Sequence, residues 1–328
     1  MAFGVILASC FFACEIRGAE LDSKSGFSND DDGGGDFAFF FDNDLAFEED
    51  QGYTSGLRFA WLSEGRQDAG SASDSDLTRH WGLSLTHYMY TPDNSFALIP
   101  PPGERQYAGW LGLGLSKHER RPGRLESWEL SLGTSGRVAL AEQIQSEFHG
   151  HFDGIHFRGW DSQVPAEMTL NLYYESRYRW AFFEGADEVS LADFFFNWGG
   201  ALGNQRTELR VSAEVRFGWN LEEDFSNFRL SNTAYHHEGS FSKEASVYVL
   251  GGMGLSGVAH ELSIDGPLFR DWESYNQREP LVHEFYYGMG FRYQETELIF
   301  SAVRRSAEIK NGAEKMQEFT SAVLRFPF

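Results

Sequence analysis

The chain has 328 residues, enough for one barrel of about a dozen strands or for two ordinary domains. Its formal net charge of -22 argues against a nucleic-acid partner, whose phosphates it would repel, and suits a bacterial surface where divalent cations bridge acidic groups. Aromatic residues make up 16% of the chain, and past the N-terminus no apolar run reaches the length of a membrane-crossing helix; a membrane-crossing barrel needs no such run.

The segment Phe3 to Ala13 is apolar and short, and Arg17-Gly18-Ala19 offers a cleavage site before Glu20. This reads as a secretory signal peptide over residues 1–19, although the positive n-region is missing. Leu7-Ala8-Ser9-Cys10 also resembles a lipoprotein cleavage box, with little apolar sequence before it. Both cysteines, Cys10 and Cys14, lie in this region, so a chain starting after Ala19 has no disulfide framework. Residues 20–36 read as a flexible acidic linker. Its stretch Asn29 to Asp36 resembles a calcium loop but lacks the spaced ligands and the closing Glu.

From Phe37 onward the pattern is strands. They are expected at Phe37–Asp44, Ser55–Ser63, Trp81–Tyr90, Tyr107–Lys117, Trp128–Thr134 and Met168–Trp180. More are expected at Val189–Ala201, Glu208–Asn220, Lys243–Asp265, Val282–Tyr293, Glu295–Val303 and Met316–Phe328, making about twelve. In the clearest, Leu209, Val211, Ala213, Val215, Phe217 and Trp219 share one face, and Arg210, Ser212, Glu214 and Arg216 share the other. A charged inner face does not suit a sandwich core, but it suits a polar barrel lumen. The last strand repeats the pattern and closes on Phe328. Lys243–Asp265 is too long for one span of about ten residues, so it either projects from the membrane or divides in two. The fold expected over residues 37–328 is therefore an all-β, antiparallel transmembrane barrel, with an even strand number that removes exposed edges.

One segment breaks the rhythm. Val138 to His149 lacks Gly and Pro and is rich in helix formers. On a helix Glu142, Gln145 and His149 share a face. A polar-faced helix among barrel strands belongs in a loop or in the barrel mouth.

Several blocks then resemble one family, the outer-membrane lipid A 3'-O-deacylases. They are Phe41-Asp42-Asn43-Asp44, Gly52-Tyr53-Thr54-Ser55-Gly56-Leu57, Met89-Tyr90-Thr91-Pro92 and Arg105-Gln106-Tyr107-Ala108-Gly109-Trp110. Glu142-Gln143-Ile144-Gln145 with His149, Gly159-Trp160-Asp161-Ser162-Gln163 and Gly200-Ala201-Leu202-Gly203-Asn204 follow. The resemblance rests on their order and spacing and spans about Phe37 to Phe328. It implies a twelve-stranded barrel with a calcium-dependent site between the wall and the mouth helix. It also implies hydrolysis of an ester-linked acyl chain on lipid A of lipopolysaccharide, in the bacterial outer membrane. The family's site residues match Asn43, Asp44, Thr54, Gln145 and His149 here, with Asp44 as metal ligand. The chain is expected to be a membrane-embedded monomer.

The chemistry suits those residue types. Ester hydrolysis by water needs a base near neutral pKa, which His149 supplies. Asp44 is a hard oxygen donor for calcium, while Asn43 and Thr54 can donate to an oxyanion or hold a water. No G-x-S-x-G elbow occurs, which argues against a serine nucleophile. Each residue also has a plainer reading: a solvated helix His, a turn-initiating Asn-Asp, a packing Thr. Glu142 and Asp161 are further candidates for the calcium shell, whereas His236 and His237 point to opposite faces if extended and read as loop residues. The sequence departs from the family at Asp93 to Leu98, which lacks the expected Lys, with Arg105 as a substitute charge. It departs again near Ile155, where an acid is expected and Asp153 is the nearest. The rival readings are a passive or structural barrel, an outer-membrane phospholipase and a soluble β-sandwich.

Overall fold

A computed structural model describes residues 35–43, 52–67, 77–94, 96–152, 157–184, 190–225, 245–272, 274–312 and 316–327. The sheet holds thirteen strands, one being the two-residue Arg66–Gln67, which pairs beside the third long strand; the other twelve form the wall. These are β1 (Gly35–Asn43), β2 (Gly52–Ser63), β3 (Thr78–Thr91), β4 (Ala108–Arg121), β5 (Arg124–Ser135) and β6 (Met168–Glu184). They continue as β7 (Ser190–Gly203), β8 (Arg206–Trp219), β9 (Ala245–Glu261), β10 (Leu281–Tyr293), β11 (Thr296–Ser306) and β12 (Met316–Pro327). Every neighbour pair is antiparallel, and β1 pairs with both β2 and β12, so the barrel closes with no free edge. Across the seam Asp36 accepts from Arg325 at 2.6 Å.

Each strand expected from the sequence is present. The first begins at Gly35, ahead of Phe37. The long segment is one strand, β9, which ends at Glu261 and passes into a helical turn, Leu262–Asp265. The Glu261 carboxylate caps that turn by accepting from the Ser263 backbone N–H.

Alternation sorts side chains as the period of two requires. On β8, Leu209 is 75% exposed on the outer face while the next residue inward, Glu208, is 3% exposed. The outer belt is apolar and includes Leu83, Leu113, Leu132 and Leu170, all exposed. Exposed Trp81, Trp180, Trp219 and Tyr293 gather near the rim that carries the tight turns 122–123 and 294–295, as interfacial aromatics do.

Inside, the charges are paired and buried. Arg216 donates to Asp193 at 2.7 Å and to Asp224 at 2.6 Å, and Arg210 donates to Glu284 at 2.6 Å. Tyr286 and Tyr248 donate to Glu214 and Glu297 at 3.0 and 2.9 Å. Such pairing lets a small barrel fill its interior with ionised groups instead of apolar ones. The opposite rim carries the connections 92–107, 136–167 and 262–280. The first rim carries two long connections, 64–77 and 220–244, against these three, and the longer loops mark the outward side of such barrels, so the opposite rim is the one that faces away from the periplasm.

Candidate active site on the outer wall

The expected helix is divided. A 3-10 turn, Gly136–Ala139, precedes α1 (Ala141–Phe152), and Leu140 between them has φ 61. It does not sit over the lumen. Gly109 lies on the outer face of β4, and a Cβ there would stand 2.6 Å from Ala141 Cβ and 3.3 Å from Ala139 Cβ. His87, on the outer face of β3, bonds through Nε2 to the Ala139 carbonyl at 2.9 Å. The helix is thus seated against the outside of the wall. Met89 of β3, Tyr107, Ala141 and Trp160 form the apolar cluster that holds it there. Burial raises the Tyr107 pKa, partly offset by its hydrogen bond with the Gly159 backbone.

Three strand ends supply the wall side. Asn43 ends β1 on the same face as the partly exposed Phe39 and Phe41. Its Nδ2 donates to the Thr54 carbonyl at 3.2 Å, and its own carbonyl accepts from Thr320 Oγ1 at 3.0 Å. The β2–β3 register slips between Tyr53 and Ser55, leaving Thr54 as the extra residue of a bulge. A bulge re-aims a side chain that strict alternation would turn elsewhere. Here Tyr53 donates inward to Asp42 Oδ2 at 2.9 Å, while Thr54 Oγ1 meets Thr91 Oγ1 at 2.5 Å. Thr91 shares the outer face of β3 with Met89 and is fully buried.

Gln145 supplies the helix side. It is 1% exposed, and its Oε1 accepts from Trp160 Nε1 at 2.8 Å. An indole N–H only donates, so the amide orientation is fixed. Its Nε2 is left buried with no partner among the described residues. Trp160 in turn packs against Tyr107 with the rings tilted by 55° and their centroids 5.1 Å apart.

Asn43 and Thr54 are therefore bonded to each other, and Gln145 is tied through Trp160 to the cluster containing Met89, two residues before Thr91. His149 lies within α1, of which the backbone alone is described there. Asp44, Asp153, Ile155, His236 and His237 lie outside the described residues. Glu142 is half-buried on α1. Asp161 is exposed and paired with Arg137. Arg105 does not supply a substitute charge to this face. It is buried, ion-paired with Glu308, bonded to Ser263 at 2.8 Å and stacked over Tyr90. Burial opposes the charge on Glu308, but Arg105 and Arg305 outweigh it and hold its carboxyl below the usual range.

Sequence reading missed Thr91 and Trp160 as parts of the site and Gly109 as its seat. All three lay in blocks already singled out, but neither a bulge partner nor an indole that orients an amide has a pattern of its own. As to a cation, no group of three or more His, Cys, Asp or Glu comes together among the described residues. The wall offers the hydroxyls of Thr54 and Thr91, which suit a hard cation in type but fall short in number without Asp44 and water.

The family model described as "Outer membrane protein LpxR" matches residues 5–328. Among solved structures, LpxR from Salmonella typhimurium is similar with a TM-score of 0.72 at 17% identity, covering 89% of this chain and 99% of that one. At that identity the likeness speaks for the fold. The β domain of the Bordetella autotransporter BrkA covers 90% of this chain and 100% of its own at 14% identity, but its TM-score of 0.47 carries no argument. No curated protein matches in sequence. A closed twelve-stranded barrel with an apolar belt, matched by that model over nearly its whole length, is an outer-membrane protein and belongs to the LpxR family.

Proposed function

We propose that this chain is a lipid A 3'-O-deacylase, hydrolysing the ester that links an acyloxyacyl chain to the sugar backbone. The observation that supports it most is the Nε2 of Gln145, buried on α1 and without a partner among the described residues. A buried amide donor costs about 1–3 kcal/mol when left unpaired, a cost usually met by a ligand or a water. An ester carbonyl is such a partner, and its oxygen gains charge as the bond breaks. Donors aimed at that oxygen bind the transition state more tightly than the ground state.

In this reading His149 takes a proton from water as the water oxygen attacks the ester carbon. The tetrahedral centre then collapses, the alkoxide leaves, and His149 returns the proton to it. The products are a free fatty acid and a sugar hydroxyl. Gln145, with Asn43 or Thr54, donates to the carbonyl oxygen. Asp44 and the Thr54 hydroxyl are the oxygen donors we assign to calcium, which when bound would supply Lewis-acid stabilisation of the developing charge. The passive-channel rival finds no support in a lumen filled with buried ion pairs.

Mass spectrometry of lipid A tests this. Detergent-purified protein is incubated with calcium or with a chelator, beside a His149→Ala variant. The expected result is loss of a 3'-linked acyloxyacyl group with calcium alone, absent in the variant. Unchanged lipid A in every tube, from folded protein, would overturn it; fatty acid released only from glycerophospholipids would point to the phospholipase.

A further inference from the structure

The 3-10 turn and α1 carry an apolar edge that is exposed among the described residues. Val138, Leu140 and Ile144 are 61%, 49% and 39% exposed, and Phe148 is partly exposed beside them. Their neighbours Gln143, Ser146 and Glu147 are exposed and polar, so one segment has an apolar edge and a polar one. Leu140 sharpens the point. Its left-handed backbone favours Gly or Asn, yet this position carries a leucine. A leucine there makes sense if the side chain has an apolar surrounding.

The surrounding is indicated by what lies next to it. This segment sits on the outer face of the wall, at Gly109 and His87, and not over the lumen. That outer face continues below as the lipid-facing belt of Leu113, Leu132 and Leu170. The exposed Trp81, Trp180 and Trp219 stand at the opposite rim. At the rim on this side the exposed apolar groups are the edge of the helical segment together with Phe96, Leu98, Ile99 and Phe269 of the connections.

We infer that Val138, Leu140, Ile144 and Phe148 lie among the acyl chains of the outer leaflet, with Gln143 and Glu147 toward the headgroups. The segment is then an in-plane amphipathic element fixed to the barrel. The inference stands on the fold and the membrane location, so it survives if the deacylase reading fails.

Spin labels test it directly. Single cysteines replace Val138, Ile144, Gln143 or Glu147 in a background carrying Cys10→Ser and Cys14→Ser, and each protein is reconstituted in bilayers. Heat-modifiable gel mobility confirms that each barrel is folded. Collision with oxygen, which concentrates in lipid, is compared with collision with a water-soluble nickel chelate. The expected result is oxygen dominance at 138 and 144 and nickel dominance at 143 and 147, a several-fold reversal of the ratio. Nickel dominance at all four positions would overturn the inference. So would labels at 138 and 144 shielded from both agents with intermolecular dipolar broadening, which would assign the edge to a second copy of the chain.

Discussion

Gln145 carries the sharpest consequence at the scale of single residues, because its two polar atoms are separable. Oε1 is occupied by Trp160, and Nε2 is free among the described residues. Gln145→Glu keeps an acceptor for the indole but replaces the free donor with an oxygen. If the amide donates to the reacting carbonyl, kcat falls by about a hundredfold while the barrel stays folded, since removing one such donor costs on that order. Trp160→Phe leaves the donor in place but lets the amide turn, so it should cost less. Equal activity of Gln145→Glu and the native chain would remove Gln145 from the chemistry. Thr54 answers a second question. Thr54→Val leaves the buried Thr91 hydroxyl without its 2.5 Å partner and should destabilise the protein by about 1–3 kcal/mol, whereas Thr54→Ser restores both stability and activity. Activity lost in Thr54→Ser as well would mean that the methyl group, and not the hydroxyl, is what the site requires.

The helix segment shows, at the scale of elements, how a site is built on a wall designed to be smooth. Barrel strands are self-sufficient in backbone hydrogen bonds and need no cover. Covering β3 and β4 from outside therefore required a place without side chains. Gly109 provides it, and Ala139 and Ala141 fill it. Gly109→Val forces those contacts apart, so α1 lifts from the wall while the strand ladder, which gains a β-branched residue, still forms. The expected outcome is native heat-modifiable mobility with loss of deacylase activity and of protease resistance at α1. A fully active Gly109→Val protein would show that α1 need not be seated there. The strands themselves were legible in the sequence because alternation at period two survives burial in lipid as well as in protein; the run from Leu209 to Trp219 needed no other information. The helix was legible from composition, but not its break at Leu140 nor its side of the wall. Those depend on which outer positions lack bulk. Thr54 was singled out through its Gly-Tyr-Thr block, but its bulge was invisible, since a bulge is a property of two strands in register.

The question at the scale of the molecule is whether anything crosses the barrel. Segment 220–225, after β8, turns inward and is held by inward-facing residues. Glu222 accepts from Arg292 at 3.2 Å, the Glu223 carbonyl accepts from Arg120 at 2.7 Å, and Asp224 is bound by Arg216. Phe225 reaches across to pack with Leu62 of β2 and Leu125 of β5. At the opposite rim, loops from far sides of the barrel interlock. Asn276 accepts from the Gly103 backbone at 2.8 Å and donates to the Glu104 carbonyl at 2.6 Å, and Tyr275 donates to the Pro100 carbonyl at 2.7 Å. Between these closures the described inward side chains are largely buried, which leaves little room for a water-filled path among the described residues. The native protein in a planar bilayer should therefore show no stepwise ionic current. Removal of residues 221–225 should open one, because the arginines left behind then line a vacated space. Arg216→Ala removes a buried guanidinium shared by Asp224 and Asp193, of which Asp193 keeps Arg179, and should cost about 3–5 kcal/mol, seen as a lower heat-modification temperature. Steady current through the native barrel would sink this account and restore the passive channel. Silence would leave the outer wall, and not the lumen, as the place where this barrel does its work.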